Sequence, residues 1–567
     1  MVLKFGSSVL RTRADLPNAV HEIYRWYRSG YRVVAVVSAF GLTTDELLCE
    51  ARGLSAMPEP FATAELLATG ERVSAAFLGI TLDRSGLPAR VLNPREIELI
   101  ASGGALDSEL VSVEVAKVHR LLDEYPVLVI PGFFGTDRDG RTHLLGRGGS
   151  DLTAAFLAQA LNARCRLIKD VDGAYESDPS LSAGSEFHDE RPRRFVQVSY
   201  GDALRVAAKL IQPKAVSFIR QYHARAELAS CASNYETLVY AGSSELDEKP
   251  VSADPLRVLL LGLGTVGFGV YQRLVANPGH FQVVGALIRD RGKYEHVGVP
   301  AGLLRTRSDQ ITKLRADVVI DTLSDADLSS QLAEHFLSKG MHVISAGKRL
   351  VAESGLSLTA VAERSGSRFL YRAAVGGATP MIEAVERCAA SGAIVALRGI
   401  LNGTCNFVLD RCREGLSLAD ALAQAQRAGF AEAEPSEDLG GEDAARKLSI
   451  LCRHAFQTEA RIVELQRLDD AMAERARECA PQGLRLRQIA RAAVCGGEVQ
   501  AAVGFEAVRE DSSFGRLRGE WNGLQILRSN GDFTLVTGRG AGRWPTSEAV
   551  LGDLYHLHRD RGRRQGR

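Results

Sequence analysis

Leu256-Arg257-Val258-Leu259-Leu260-Leu261 runs straight into Gly262-Leu263-Gly264-Thr265-Val266-Gly267, and this junction decides the fold of the second half of the chain. The first six residues are mostly apolar, as a strand covered on both faces requires. The first glycine permits a tight turn, the second lets a pyrophosphate approach the backbone, and the third lets helix and strand pack closely. A helix predicted from Thr265 aims its free amides and the positive end of its dipole at that phosphate. A tight turn alone can also produce GxGxxG. Between a buried strand and a helix it reads as a Rossmann unit, with Gly262, Gly264, Thr265, Val266 and Gly267 as dinucleotide contacts.

The next strand, Gln282-Val283-Val284-Gly285-Ala286-Leu287-Ile288, ends in Arg289-Asp290-Arg291. An acid at this point holds the ribose hydroxyls of NAD, whereas a guanidinium suits a 2′-phosphate. Arg289 comes first, so NADP is the expected dinucleotide. NAD is the alternative, and a solvated Arg-Asp turn is the plain structural reading.

Further out, short β-branched runs alternate with helical patterns, the signature of α/β layers. Tyr31-Arg32-Val33-Val34-Ala35-Val36-Val37-Ser38, Val127-Leu128-Val129-Ile130 and Arg166-Leu167-Ile168 are such runs. A polar stretch, Gly242 to Pro250, interrupts them and places a linker over residues 242–255. The expected organisation is one α/β domain over 1–241, a Rossmann domain over 256–370, and a mixed α+β domain over 371–554 that holds strands such as Ile394–Ile400. Residues 555–567, with His558-Arg559-Asp560-Arg561-Gly562-Arg563-Arg564, read as a solvated basic tail.

At 567 residues the chain has room for about three or four domains. Its formal net charge is zero, which speaks against general affinity for nucleic acid or acidic membranes. Nine scattered cysteines without a CxxC pair read as free thiols of a reducing cytosol. Met1 leads directly into a strand rather than a signal peptide, and no apolar run reaches membrane-spanning length. A cytoplasmic protein that acts on small molecules is expected.

Two segments of the second half carry polar chemistry. Strand Ile394–Ile400 leads into Leu401-Asn402-Gly403-Thr404-Cys405-Asn406, where small and amide-bearing residues suit either a polar ligand or an ordinary turn. In Gly429-Phe430-Ala431-Glu432-Ala433-Glu434-Pro435-Ser436-Glu437-Asp438-Leu439-Gly440-Gly441-Glu442-Asp443-Ala444-Ala445-Arg446-Lys447-Leu448, Gly440-Gly441 opens a helix. Asp443 and Lys447 then share a helix face. With Glu432 and Asp438 in the preceding loop, carboxylates gather around one amine. A carbonyl substrate needs a proton donor at its oxygen and a cationic contact, which a lysine held by carboxylates can supply. Taken alone, such a pair is usually a surface salt bridge.

The stretch from Leu256 to Leu554 resembles the homoserine dehydrogenase family nearly end to end. The resemblance rests on GxGxxG, GILNGTxN, GxAExxPxxDxxGxDAxxK and Gly540-Ala541-Gly542-Arg543-Trp544-Pro545-Thr546. It implies reduction of aspartate 4-semialdehyde to homoserine by NAD(P)H, and a last domain that serves substrate binding and dimerisation. It implies that Lys447 donates a proton or orients substrate, with Asp443 beside it, and that Glu432 and Asp438 hold the substrate's amino end. Lys348, in Ile344-Ser345-Ala346-Gly347-Lys348, matches a second active-site lysine between nicotinamide and substrate. Two departures stand out. Gly347 replaces the usual Asn, which is expected to loosen the loop. Arg372, in Tyr371-Arg372-Ala373-Ala374-Val375-Gly376-Gly377-Ala378-Thr379-Pro380, replaces an acid beside a turn whose backbone oxygens hold a monovalent cation in the family.

The first half is rich in glycine turns beside charged groups: Lys4-Phe5-Gly6-Ser7-Ser8-Val9, Ser38 to Asp45, Gly70-Glu71-Arg72-Val73-Ser74 and Gly146-Arg147-Gly148-Gly149-Ser150-Asp151. Such turns let amides and a cation reach phosphate together, or an arginine reach a carboxylate. With Val171-Asp172-Gly173-Ala174-Tyr175-Glu176-Ser177-Asp178-Pro179, their order resembles the catalytic domain of the aspartokinase family, an amino-acid-kinase-like fold. The resemblance implies phosphorylation of aspartate by ATP with Mg. Lys4 and Lys209 would neutralise phosphate, Asp151 would organise the reacting end, and Ser38, Thr44, Glu71 and Arg147 would hold aspartate. KFGGTS is KFGSSV here, the threonine of TDVDG is Lys169, and the helix ending near Lys209 is about three residues short, nearly one turn. About forty residues separate Lys214 from Leu256, too few for the sensory ACT domains that usually follow. The chain therefore reads as an aspartokinase–homoserine dehydrogenase fusion without that insert, and the resemblance implies a homo-oligomer. The alternative is a homoserine dehydrogenase whose inactive kinase-like domain serves assembly or regulation.

Overall fold

The structure is a computed structural model that describes residues 1–177, 192–206, 210–233, 235–247, 255–294, 296–431 and 434–565. It divides into two compact units. One holds Met1–Asp83, Pro88–Ser252 and Arg559–Arg567; the other holds Arg84–Leu87 and Ala253–His558.

The first unit is built on a nine-stranded sheet. At its centre Cys165–Lys169, Val2–Phe5, Val33–Val37 and Val127–Pro131 lie side by side and parallel. Every residue of these four strands is buried, which is why their sequences are continuous apolar runs rather than alternating ones. Helix Gly149–Ala160 is apolar nearly all round because Gly149 through Ala158 are all buried; it packs with Pro213–Gln221 on one face of the sheet. The opposite face takes Arg166, fully buried, whose Nη1 lies 2.9 Å from Glu227 and whose Nε lies 3.6 Å from Glu22. Losing one partner of such a buried pair costs about 3–5 kcal/mol, so Arg166 belongs to the scaffold.

The second unit contains two six-stranded sheets. In the first, the order Leu304–Arg305, Phe281–Leu287, Leu256–Leu261, Val318–Asp321, His342–Ser345, Phe369–Leu370 is parallel throughout. That is the doubly wound order, in which ligands bind at the carboxyl edge where the winding reverses. The second sheet is mainly antiparallel and has Ile394–Ile400 between Leu484–Cys495 and Trp521–Arg528. One apolar core runs through both sheets, from Leu259 and Val319 to Leu397 and Ile526.

Two expectations need correction. The last helix is Arg543–Gln565, so the supposed solvated tail is its continuation. Val550, Leu551, Leu554, Tyr555 and Leu557 are buried at helical spacing, which carries the pattern past residue 554 beneath a charge-rich ending. Asp438 also lies in a short helix, Ser436–Gly440, rather than in a loop. Among the described residues, no helix is long and apolar enough to cross a membrane.

Candidate functional site

At the carboxyl edge of the parallel sheet, Gly262 adopts φ 94°, a backbone that favours glycine. A Cβ on Gly267 would stand 2.1 Å from the Gly262 oxygen, so helix Thr265–Val275 can pack here only on glycine. A Cβ on Gly264 would meet nothing within 4 Å, which leaves the open space a pyrophosphate would take. Gly262 and Gly267 thus meet the turn and packing requirements read from the sequence. Arg289, just past strand Phe281–Leu287, is exposed, with its guanidinium 3.3 Å from the Ser324 hydroxyl.

Strand His342–Ser345 ends at the same edge and passes through Gly347 into helix Lys348–Ser365. The loop is not loosened by its glycine. The Gly347 amide donates to Ser345 Oγ at 3.0 Å, and Ser345 donates to the buried Asp321 at 2.7 Å. Lys348, in the first turn of that helix, therefore starts from a fixed point. Its Nζ lies 2.5 Å from Asp443 Oδ1, while Lys447 Nζ lies 2.7 Å from Asp443 Oδ2 and donates to the Leu401 oxygen at 2.8 Å. Burial pushes the Asp443 carboxyl up, but the Lys447 and Lys348 charges outweigh it and hold the group well below the usual carboxylate range. Burial lowers the Lys447 ammonium, opposed by Asp443 and assisted by Lys348.

Asn402 was readable only as a polar residue at a strand end, yet it organises this cluster. Its amide donates to Asp443 Oδ2 at 3.0 Å and to Asp438 Oδ1 at 2.6 Å, while its oxygen caps helix Gly403–Arg413. Asp438 therefore meets Asn402, and Glu432 lies outside the described residues. A pocket of about 230 Å³ joins Val266 of the glycine turn to Lys348 and Lys447, with Thr322, Ala374, Gly540 and Thr546 in its wall. Arg372 pairs with Glu386 at 3.2 Å and Asp553 at 3.5 Å, so carboxylates beside the Val375-Gly376-Gly377 turn already face a cation of the chain's own.

The first unit holds a pocket of about 880 Å³, a size that takes small ligands. Lys4, Gly6, Ser7, Ser38, Thr44, Glu71 and Asp151 line it together, as does the loop from Asp170 to Ser177. A Cβ on Gly6 would stand 2.9 Å from Lys4 Nζ, so glycine gives the ammonium its room. Gly148 precedes helix Gly149–Ala160 at φ 78°, and the first helical turn delivers Asp151 to the pocket. Lys4 Nζ lies 2.8 Å from Asp151. The Ala39 amide donates to Glu71 Oε1 at 3.2 Å, and Glu71 Oε2 is buried without a hydrogen-bond partner among the described residues. Burial pushes Glu71 up to about 7.

Arg147 is exposed and stands next to Gly148 outside this lining. Lys209, Asp178 and Pro179 lie outside the described residues. Lys169 lines the pocket as well; its sequence marks only a replaced threonine, yet its Nζ lies 3.0 Å from Asp151. Burial pushes Asp151 up, but the Lys4 and Lys169 charges hold it at about 2.

Residues 380–555 match the family described as homoserine dehydrogenase, and residues 262–372 match its NAD binding domain. Residues 1–222 match the amino acid kinase family. Homoserine dehydrogenase of Bacillus subtilis is 30% identical over 311 residues, 53% of this chain and 72% of that protein. Aspartokinase of Thermus thermophilus is 33% identical over 273 residues, 47% of this chain and 65% of that protein. A crystal structure of homoserine dehydrogenase from Thiobacillus denitrificans is 31% identical with a TM-score of 0.50, covering 54% of this chain and 73% of that one.

Proposed function

Because the chain belongs to the homoserine dehydrogenase family and carries an amino acid kinase domain ahead of it, we propose a bifunctional enzyme of the aspartate pathway. Its second unit reduces L-aspartate 4-semialdehyde to L-homoserine with NAD(P)H, and its first phosphorylates L-aspartate with ATP. The observation that carries the reductase is the pocket that brings Val266 of the glycine turn to Lys348 and Lys447.

The bound dinucleotide supplies the hydride for the carbonyl carbon. Everything else falls to the protein. The carbonyl oxygen gains negative charge as the carbon is reduced, and it needs a proton. Lys447 holds one at Nζ, fixed in direction by the Leu401 oxygen and Asp443. Its lowered pKa makes that proton easier to give near neutrality. Lys348 is half-exposed and presents a second positive charge at the pocket. Asp443 and Asn402 fix both ammonium groups, which limits the reorganisation that accompanies reaction. Asp438, and Glu432 in the same segment, serve the substrate's amino end.

NADP is the preferred dinucleotide in this reading, supported by Arg289 beside Ser324 at the strand end. The kinase site would take ATP together with magnesium, and Ser38, Thr44 and Glu71 of the pocket lining serve aspartate. The products feed synthesis of threonine, methionine and lysine. The protein works in the cytoplasm as a homo-oligomer, in keeping with its nine free cysteines and with the family of its second unit. Purified full chain should oxidise NADPH when given the semialdehyde; absence of oxidation at saturating substrate would overturn the reductase assignment.

A further inference from the structure

Lys169 ends strand Cys165–Lys169, beside strand Val2–Phe5. Lys4 pairs in register with Leu167, and side chains two residues apart share a face, so Lys4 and Lys169 point to the same side of the sheet. Helix Gly149–Ala160 crosses that side and places Asp151 between them. Lys4 Nζ is 2.8 Å from Oδ1, and Lys169 Nζ is 3.0 Å from Oδ2 and 3.3 Å from Oδ1. All three side chains are at most 8% exposed.

Two ammonium groups here share the one carboxylate of Asp151, in a lining that also holds Asp45, Asp170 and Glu176. Burial pushes Glu71, in the same lining, up to about 7. The scaffold arginine on the opposite sheet face is handled differently: Arg166 meets carboxylates of Glu22, Glu227 and Glu236. A buried cation is ordinarily matched in that way; Lys4 and Lys169 instead share one carboxylate, which leaves each ammonium with donors for an anion in the pocket that both line.

We propose that Lys169 is a catalytic cation of phosphoryl transfer, paired with Lys4 across Asp151 so that both ammonium groups meet the oxygens of the group in flight. This rests on the kinase reading above. A carboxylate oxygen of aspartate bonds to the γ-phosphorus of ATP while the bond to the β–γ bridging oxygen breaks. The electron pair leaves with ADP, and no proton has to move. Charge spreads over the transferred oxygens and the bridge, and positioned cations are the main aid a protein can give it. Asp151 holds the two lysines at a fixed separation. The lysine that the sequence lacks a threonine for thus supplies the second charge.

The test compares full-length wild type, K169M and K169R by ADP release with aspartate and MgATP, with NADPH oxidation by the same preparations as reference. K169M should lose about 100-fold or more in kcat while KM for ATP stays within about fivefold; K169R should keep kcat within about tenfold of wild type. A K169M kcat within about threefold of wild type overturns the proposal. So does K169R as inactive as K169M, because charge would then not be what matters. Should K169M fail to fold, K169R alone decides by the same tenfold limit. A wild type that releases no ADP with aspartate defeats the kinase reading and this proposal together, a result distinct from an active wild type indifferent to K169M.

Discussion

Each unit holds one buried aspartate between two lysines, and the two clusters differ in how the lysines are exposed. In the second unit Lys447 is 7% exposed and Lys348 48%, on either side of Asp443 at 5%. In the first unit Lys4 and Lys169 are both 8% exposed beside Asp151 at 3%. The asymmetric cluster has a third layer: Asn402 bonds Asp443, and the Leu401 oxygen holds Lys447. One lysine is committed and the other reaches into the pocket, which suits a reaction that delivers a proton to one oxygen. The symmetric cluster suits charge spread over a phosphoryl group. Similar parts are therefore tuned by burial and by their third partner.

The strongest way to break this comparison is to remove the committed lysine. K447A should lower kcat for semialdehyde reduction by about 10³-fold while aspartate-dependent ADP release stays unchanged; near-normal NADPH oxidation would refute the role of Lys447. Asn402 tests the third layer. N402A leaves both lysines in place but frees Asp443 to shift, and misplacement of this kind can cost up to about 10²-fold in kcat. A steady-state kcat equal to wild type would mean that Asp443 is held well enough by the lysines alone.

Much of this was legible in sequence. Strands Leu256–Leu261 and Ile394–Ile400 were found at their observed bounds, because buried strands are apolar runs that stop at a polar or glycine turn. The Asp443–Lys447 contact followed from helical spacing. Contacts between distant segments did not. Lys348 meets Asp443 across 95 positions, and Asn402 meets it across 41, separations that no local pattern encodes. Lys169 is hidden for a different reason: the apolar run through Ile168 stops one residue short of the strand's end, and no sequence pattern shows that a lysine there shares the face of Lys4. The last helix was cut short because its charged ending masked the buried residues before it.

Two smaller effects sharpen the contrast between the sites. R289A should raise KM for NADPH by about tenfold and leave NADH almost unaffected, as loss of one charge-assisted contact predicts. Equal effects on both dinucleotides, measured by initial rates, would remove the argument for NADP. In the first unit the Glu71 carboxyl is pushed up to about 7. In its proposed role toward aspartate, it would gain a proton below that pH and lose its attraction for the substrate's ammonium. KM for aspartate should therefore rise severalfold between about pH 8 and pH 6, as the ionised fraction falls from about 0.9 to about 0.1. E71Q should flatten that profile, and an unchanged slope would assign the titration elsewhere.

The claim that one chain carries two working centres is tested most directly by ADP release from the full-length protein at saturating aspartate and MgATP, with NADPH oxidation by the semialdehyde followed on the same preparation. The account predicts both activities, with ADP release dependent on aspartate. Reductase activity with no aspartate-dependent ADP release would contradict it and leave the first unit a kinase fold without its reaction.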